Sequence, residues 1–482
     1  MVKALAIDVG STSIRTALVD ERGTVSHVHK ARLTVRNPHP GEVELDPEEI
    51  VRFALELGAR TLADGGGCDV VGITNQRATT IVFDPSTGTS VGPAISWQDL
   101  RTVIDCLVLQ GEGLRLSPNQ SATKIKWLVN QSLKEAKNLR FATIETWIAW
   151  HLTKGATYVT DTSNAAITGL VNVTLNGWDT NALTLLGLDE AMLPTIVDTM
   201  GSFGEASALV GAPPIVALVG DQSASLFGQS CVEGGAKITF GTGAMLDMVL
   251  GSIAPSTLTR YASGCYPIVA QSSDGVIKWG VEGIILSAGS CVEWLQELGL
   301  IGDVSESGEL ALSVASSEGV TFVPAFSGLG TPEWDFGARG AFFGLTRGST
   351  KAHLVRAVLE GIAQRGADLL DAAEEQVGTK LLELRVDGGM SSNLFFVQRL
   401  ADFSGHTVTV SSEREATTRG AGLMALVSAG HLSLSDVEQL WSPAFVAKPS
   451  LSEDERRASR ASWRSNVQRA EKTIPELSTI AF

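Results

Sequence analysis

Asp8-Val9-Gly10-Ser11-Thr12-Ser13-Ile14-Arg15 is the stretch on which the fold turns. Ahead of it Ala4-Leu5-Ala6-Ile7 is an apolar run of strand length, and behind it Ile14, Thr16 and Leu18 alternate with Arg15, Ala17 and Val19. The pattern is strand, tight polar turn, strand. Gly10 admits backbone angles that a side chain forbids, and successive amides with two hydroxyls around such a turn make a concavity suited to a phosphate. Asp8, at the strand end, is placed to hold a metal ion through water, and Arg15 supplies positive charge. Hairpins also carry Asp, Gly and Ser for conformational reasons alone, so the turn by itself leaves both readings open.

Working outward, Glu21-Arg22-Gly23 is a second turn and residues 24–33 a third strand. Asp46-Pro47-Glu48-Glu49 caps a helix with Ile50, Phe53, Ala54 and Leu57 on one face, and Val70-Val71-Gly72-Ile73 returns as a buried strand. Three consecutive strands, a helix and a strand predict an actin-like lobe. A Rossmann unit would need a glycine-rich turn that feeds a helix. The middle of the chain, residues 97–211, mixes helices with polar loops, and residues 143–152 read as a short helix with Trp147 and Trp150 in the core. Ile215-Val216-Ala217-Leu218-Val219 then delivers Gly220-Asp221-Gln222, and Lys237-Ile238-Thr239-Phe240-Gly241-Thr242-Gly243-Ala244 repeats the opening design. Repetition at that distance predicts a duplicated architecture. The expected fold is α/β, two actin-like (ribonuclease H-like) ATPase lobes with a cleft between them, divided into residues 1–229 and 230–482.

Further on, Leu354, Val358 and Ile362 space a long helix, Leu382 to Asp387 alternates as a strand, and Gly388-Gly389-Met390-Ser391-Ser392-Asn393 opens a helix carrying Leu394, Val397 and Ala401. A strand, a double glycine and a helix start form an edge that a ligand can approach closely. Residues 453–472 predict a charged surface helix with Trp463, Val467 and Ala470 on one stripe.

The whole chain has 482 residues, enough for two or three domains, with 44% hydrophobic and 19% charged residues. Its net charge of −16 argues against nucleic acid or an anionic membrane as a partner. Five widely spaced cysteines suggest neither a disulfide framework nor a zinc site. Asp8 interrupts the first apolar run too early for a secretion signal, no stretch approaches a membrane span, and a cytoplasmic location is expected.

Together these elements resemble the FGGY family of carbohydrate kinases, nearest its glycerol-phosphorylating members. Gly72-Ile73-Thr74-Asn75-Gln76-Arg77, Ser96-Trp97-Gln98-Asp99, residues 122–128 (ATKIKWL) and residues 338–348 (ARGAFFGLTRG) carry the likeness in the family's order. The resemblance implies transfer of phosphate from ATP, with Mg2+, to a hydroxyl of a small polyol or sugar. It implies that Asp221 is the general base, that Ser11, Thr12 and Arg15 face the phosphates, that Asp8 faces the metal, and that Gly241, Thr242, Gly289, Gly389 and Asn393 line the nucleotide site. Arg77, Trp97, Asp221 and Gln222 match positions that hold the acceptor, and a homodimer or homotetramer is the family's habit. A non-catalytic actin-like ATPase module would share the phosphate turns without the acceptor motifs.

Four departures stand out. Ala78 stands where the glycerol-phosphorylating members have Glu, Asn119 where they have Tyr, Met245 where they have Phe, and Glu293 where a Gln near the adenine is usual. Losing a charged acceptor for a buried hydroxyl costs about 1.5–3 kcal/mol. The first three changes shorten or soften a wall, so the expected pocket takes an acceptor longer than glycerol: erythritol, ribitol, ribulose or xylulose.

Overall fold

The computed structural model describes residues 2–413 and 415–480. Lys3–Val9, with only its first residue partly exposed, is a central strand of a five-stranded sheet. Across that sheet lie Ile215–Gly220, Val70–Asn75, Lys3–Val9, Ser13–Asp20 and Val25–Arg32. The first three run parallel, and Ser13–Asp20 pairs antiparallel with both Lys3–Val9 and Val25–Arg32, so the turn at residues 10–12 joins two strands, as its sequence predicts. Asp46 caps the Pro47–Gly65 helix by accepting from the Glu48 and Glu49 amides, and that helix covers one face of the sheet.

A seven-stranded sheet repeats the plan. Its order is Tyr266–Ser273, Val276–Ile285, Ala244–Gly251, Ala236–Phe240, Glu383–Asp387, Thr407–Ser411 and Pro443–Ala447. Ala236–Phe240, like Lys3–Val9, has an antiparallel hairpin partner on one side and a parallel strand on the other. The two lobes of the expected fold are therefore present. Lys351–Val377 is the long helix behind the second sheet, burying Val355, Val358, Ile362 and Leu369.

Particular expectations need correction. Gly389–Ser392 is a 3-10 turn, and the α-helix starts only at Leu394 because the Asn393 side chain caps it. Trp147 is fully buried, and Trp150, partly exposed, packs edge-on against Phe83 and Tyr158 at the border of the same core. The Glu453–Ala470 helix is more than a surface element. Arg460 and Trp463 are buried and both donate to Asp368 of the long helix, at 2.7 and 2.9 Å, so the stripe is anchored by charge as well as by apolar contact.

The lobes meet where two helices cross. Ala416–Ser428 belongs in sequence to the second half, yet its Ala421, Met424 and Ala425 pack on Ala4, Ala6 and Val219 of the first sheet. It also crosses the Asp221–Gly228 helix at backbone distance: a Cβ on Gly420 would lie 1.8 Å from the Ala224 carbonyl oxygen, and one on Gly228 would lie 1.9 Å from that of Ala416. Only glycine fits either place. No helix among the described residues is long and apolar enough to cross a membrane, and all five cysteines are free.

Gly420→Ala is expected to force these helices apart and cost about 1–3 kcal/mol, seen as a lower thermal midpoint. An unchanged midpoint would mean that the crossing is not close-packed.

Candidate active site

The site assembles at the ends of parallel strands. Val70–Asn75 and Ile215–Gly220 pair side by side with a register shift between Ile215 and Ala217, Gly220 comes opposite Asn75, and both chains leave the sheet there. One exit carries Arg77 and the other carries Asp221, the first residue of its helix. Arg77 Nε lies 3.5 Å from Asp221 Oδ1, and its Nη2 donates to Glu282 of the second sheet. One guanidinium thus bridges carboxylates from both lobes. Burial disfavours the Arg77 charge, but Glu282, Asp221 and Asp247 together raise its pKa. For Asp221 burial raises the pKa and Arg77 opposes it, with Glu282 adding a further upward push. A carboxylate so placed is more basic than one in water.

The sequence by itself does not single out Glu282. Its signal is a lone acid in the buried strand Val276–Ile285, and Asp247 in Ala244–Gly251 gives the same signal. Register explains their meeting. Lys237, Asp247, Glu282 and Tyr266 stand opposite one another across four strands and so share one face. Lys237 Nζ is 2.7 Å from Asp247 Oδ2 and donates to Gln222 Oε1 at 2.8 Å. Burial raises the Asp247 pKa, with Lys237 opposing. With its oxygen bonded to Lys237, Gln222 keeps its amide N–H groups as donors.

Trp97 Nε1 donates to Ser11 Oγ at 3.1 Å, joining the indole to the phosphate turn. Asn119 is exposed, and its amide serves the loop: Nδ2 donates to the Trp97 carbonyl at 2.9 Å and Oδ1 accepts from Ser117. Ala78 is buried at φ 58, a left-handed conformation that costs a non-glycine residue about 1–3 kcal/mol. Its carbonyl accepts from the Thr80 and Ser121 hydroxyls. Met245 lies partly exposed beside Leu246 on the second hairpin. Lys124, fully buried, donates to the carbonyls of Ser96 (2.8 Å) and Asn119 (3.2 Å), tying both loops together.

On the other side, Asp8 is buried at the floor. Thr418 donates to its Oδ2 at 2.7 Å, Arg15 Nη1 lies 3.7 Å away, and Arg15 also pairs with Glu415. Burial pushes the Asp8 carboxyl up to about 6 against the pull of Arg15 and Thr418. Thr12, Gly241 and Thr242 are exposed at the two hairpin turns, and Ser11 is half-buried. Gly289 N donates to Gly241 O at 2.9 Å and Ala288 N to Thr242 O at 2.8 Å, which brings the Gly289–Glu297 helix start onto the second turn. Glu293 is exposed one turn further along, and Gly389 is exposed beyond Gly388. Asn393 spends its side chain on structure, capping Phe396 N and donating to Ser307.

Two sheets of one plan, an open hairpin turn on each and an arginine-paired aspartate at the strand ends are the arrangement of an ATPase-type phosphotransferase. The N-terminal domain of the FGGY family of carbohydrate kinases matches residues 3–228, and the family's C-terminal domain matches residues 236–429. The chain is 39% identical to a glycerol kinase of Aromatoleum aromaticum, over 97% of this chain and 98% of that one. It is 38% identical to one from Thermus brockianus, over 98% and 99%. Among solved structures, Plasmodium falciparum glycerol kinase with ADP superposes with a TM-score of 0.91 at 28% identity, covering 100% of this chain and 99% of that one. A xylulose kinase of Lactobacillus acidophilus shares the fold at a TM-score of 0.86 and 20% identity, with 97% of each chain covered. The chain belongs to the FGGY family of carbohydrate kinases and is an ATP-dependent phosphotransferase.

Burial pushes the Lys124 ammonium down to about 7, well below the ordinary lysine range. An unfolded chain therefore holds this proton between about pH 7 and pH 10 where the folded one releases it, so this group's penalty to the fold fades as pH rises. The thermal midpoint of Lys124→Met minus that of the parent should accordingly shift in the parent's favour from about pH 7 to about pH 9. A pH-independent difference would contradict the assignment.

Proposed function

We propose that the chain transfers the γ-phosphoryl group of ATP to a hydroxyl of a small polyol, with Asp221 as general base, in a pocket that admits acceptors longer than glycerol. Arg77 and the Gln222 amide donate to acceptor hydroxyls, and Trp97 packs on the carbon chain. Asp221 accepts the proton as the hydroxyl oxygen attacks, and the arginine beside it orients the carboxylate. Ser11, Thr12 and Arg15 hold the phosphates on one turn; Gly241 and Thr242 do so on the other. Gly289, Glu293, Gly389 and Asn393 border the nucleoside end.

The donor set suits Mg2+. Among the described residues no three acids, histidines or cysteines gather into a metal cage, but Asp8 is a single buried carboxylate made costly by its surroundings. Mg2+ keeps most of its waters and takes one carboxylate plus phosphate oxygens. Bound there through Asp8, it would neutralise phosphate charge. Closure of the lobes would exclude water from the transferred group. A cytoplasmic, oligomeric enzyme is the setting we infer.

The observation that carries the acceptor reading is the wall at Ala78 and Asn119. One offers a methyl group, and the other has its amide committed to Trp97 and Ser117. The names of the relatives favour glycerol, and this wall favours a longer chain. Initial rates on glycerol, erythritol, ribitol, ribulose and xylulose separate the two. We expect the highest kcat/KM on a four- or five-carbon acceptor; a clear preference for glycerol would refute the wider pocket.

Asp221→Asn tests the base. It should lower kcat by about a hundred- to ten-thousand-fold while leaving ADP binding intact. Full turnover in this variant would remove Asp221 from the mechanism.

A further inference from the structure

Behind the site, the one-turn helix Thr162–Ala165 and the acid that caps it touch none of the groups given a role above except through two loops. Asp161, Asn164 and Asn75 are fully buried and Ser163 nearly so. Asp161 Oδ2 accepts from the Ser163 amide at 2.7 Å and from the Ser163 hydroxyl, and Oδ1 accepts from Asn164 Nδ2 at 2.7 Å. With its proton given to Asp161, Ser163 Oγ is an acceptor, and it takes the Gly220 amide at 2.8 Å. Gly220 immediately precedes Asp221.

The second arm runs through Asn164. Its side-chain amide and that of Asn75 bond reciprocally, at 3.0 and 3.1 Å, and Asn75 Nδ2 also donates to the carbonyl of Gln76 at 2.9 Å. Gln76 immediately precedes Arg77. The two exits are pressed together as well: a Cβ on Gly220 would lie 2.5 Å from Cγ and Cδ of Arg77.

We propose that Asp161 is a positioning residue that fixes, through Ser163, the loop bearing Asp221 and, through Asn164, the loop bearing Arg77, and so sets the spacing of base and acceptor-binding arginine. Three donors converge on the two Asp161 oxygens. The neighbouring Glu145 takes the Thr143 and Thr160 hydroxyls, and burial raises both carboxyls, Glu145 to about 8 and Asp161 only to about 6, so Asp161 gives up its proton first. A network spent on stability alone would have no need to end on the residues adjoining Asp221 and Arg77. This inference rests on the roles proposed for those two residues.

The two arms predict separable defects. Ser163→Ala should lower kcat about tenfold with acceptor KM within about twofold, whereas Asn164→Ala should raise acceptor KM about tenfold with kcat within about threefold. ADP affinity, measured by titration, should be that of the parent in both. Should Ser163→Ala fail to bind ADP, Ser163→Cys keeps the volume with a poor acceptor and is expected to lose kcat in the same way. If both variants lose kcat in proportion at constant KM, or if Ser163→Cys and Asn164→Ala keep parental kinetics, the positioning role is overturned. Full turnover by Asp221→Asn would instead defeat the underlying reading, so the two failures are distinguishable.

Discussion

Arg77 is the interaction on which the rest depends, because one buried guanidinium faces Asp221 from its own lobe and Glu282 from the other. Removing three charges from water is costly unless they satisfy one another, and truncating any member would strand the remainder. The arrangement therefore makes sense only where the two sheets come together. It also tempers the effect of burial on Asp221, because the arginine opposes the upward push that burial gives its carboxyl.

Around that centre the duplicated lobes do complementary work. Each contributes a strand-turn-strand with an open turn, and the turns stand at the ends of sheets whose crossing helices meet at glycines. Close packing at Gly420 and Gly228 gives the lobes a fixed contact, while the site is joined by charge. A structure with close packing at one edge and a buried charge bridge at the other joins its two lobes at two places.

Much of this was legible in the sequence. Asp8 to Arg15 told strand-turn-strand from strand-turn-helix, and the second hairpin near Gly241 told of duplication, because both signals are local. Asp221 stood at the end of an apolar strand, but its role and the choice of Arg77 came from the family resemblance. Glu282, Asp247 and Lys237 were harder to read, because their meaning lies in register across strands distant in sequence. The Asp161 network was invisible for the same reason: nothing in residues 161–164 announces that they face residues 75 and 220. Asn119 and Asn393 carry a second signal that position does not show: each side-chain amide also holds a loop or a helix end, since an amide in a turn bonds readily to the backbone near it.

The central claim is that Asp221 draws a proton from the acceptor while the phosphoryl group passes directly to the acceptor oxygen. The most direct measurement is the configuration at phosphorus after transfer from ATP made chiral at its γ-phosphoryl group by oxygen isotopes. A single in-line displacement predicts inversion. Retention would mean that an enzyme carboxylate, Asp221 foremost, is first phosphorylated and then relieved by the acceptor, and direct transfer with Asp221 as base would be contradicted.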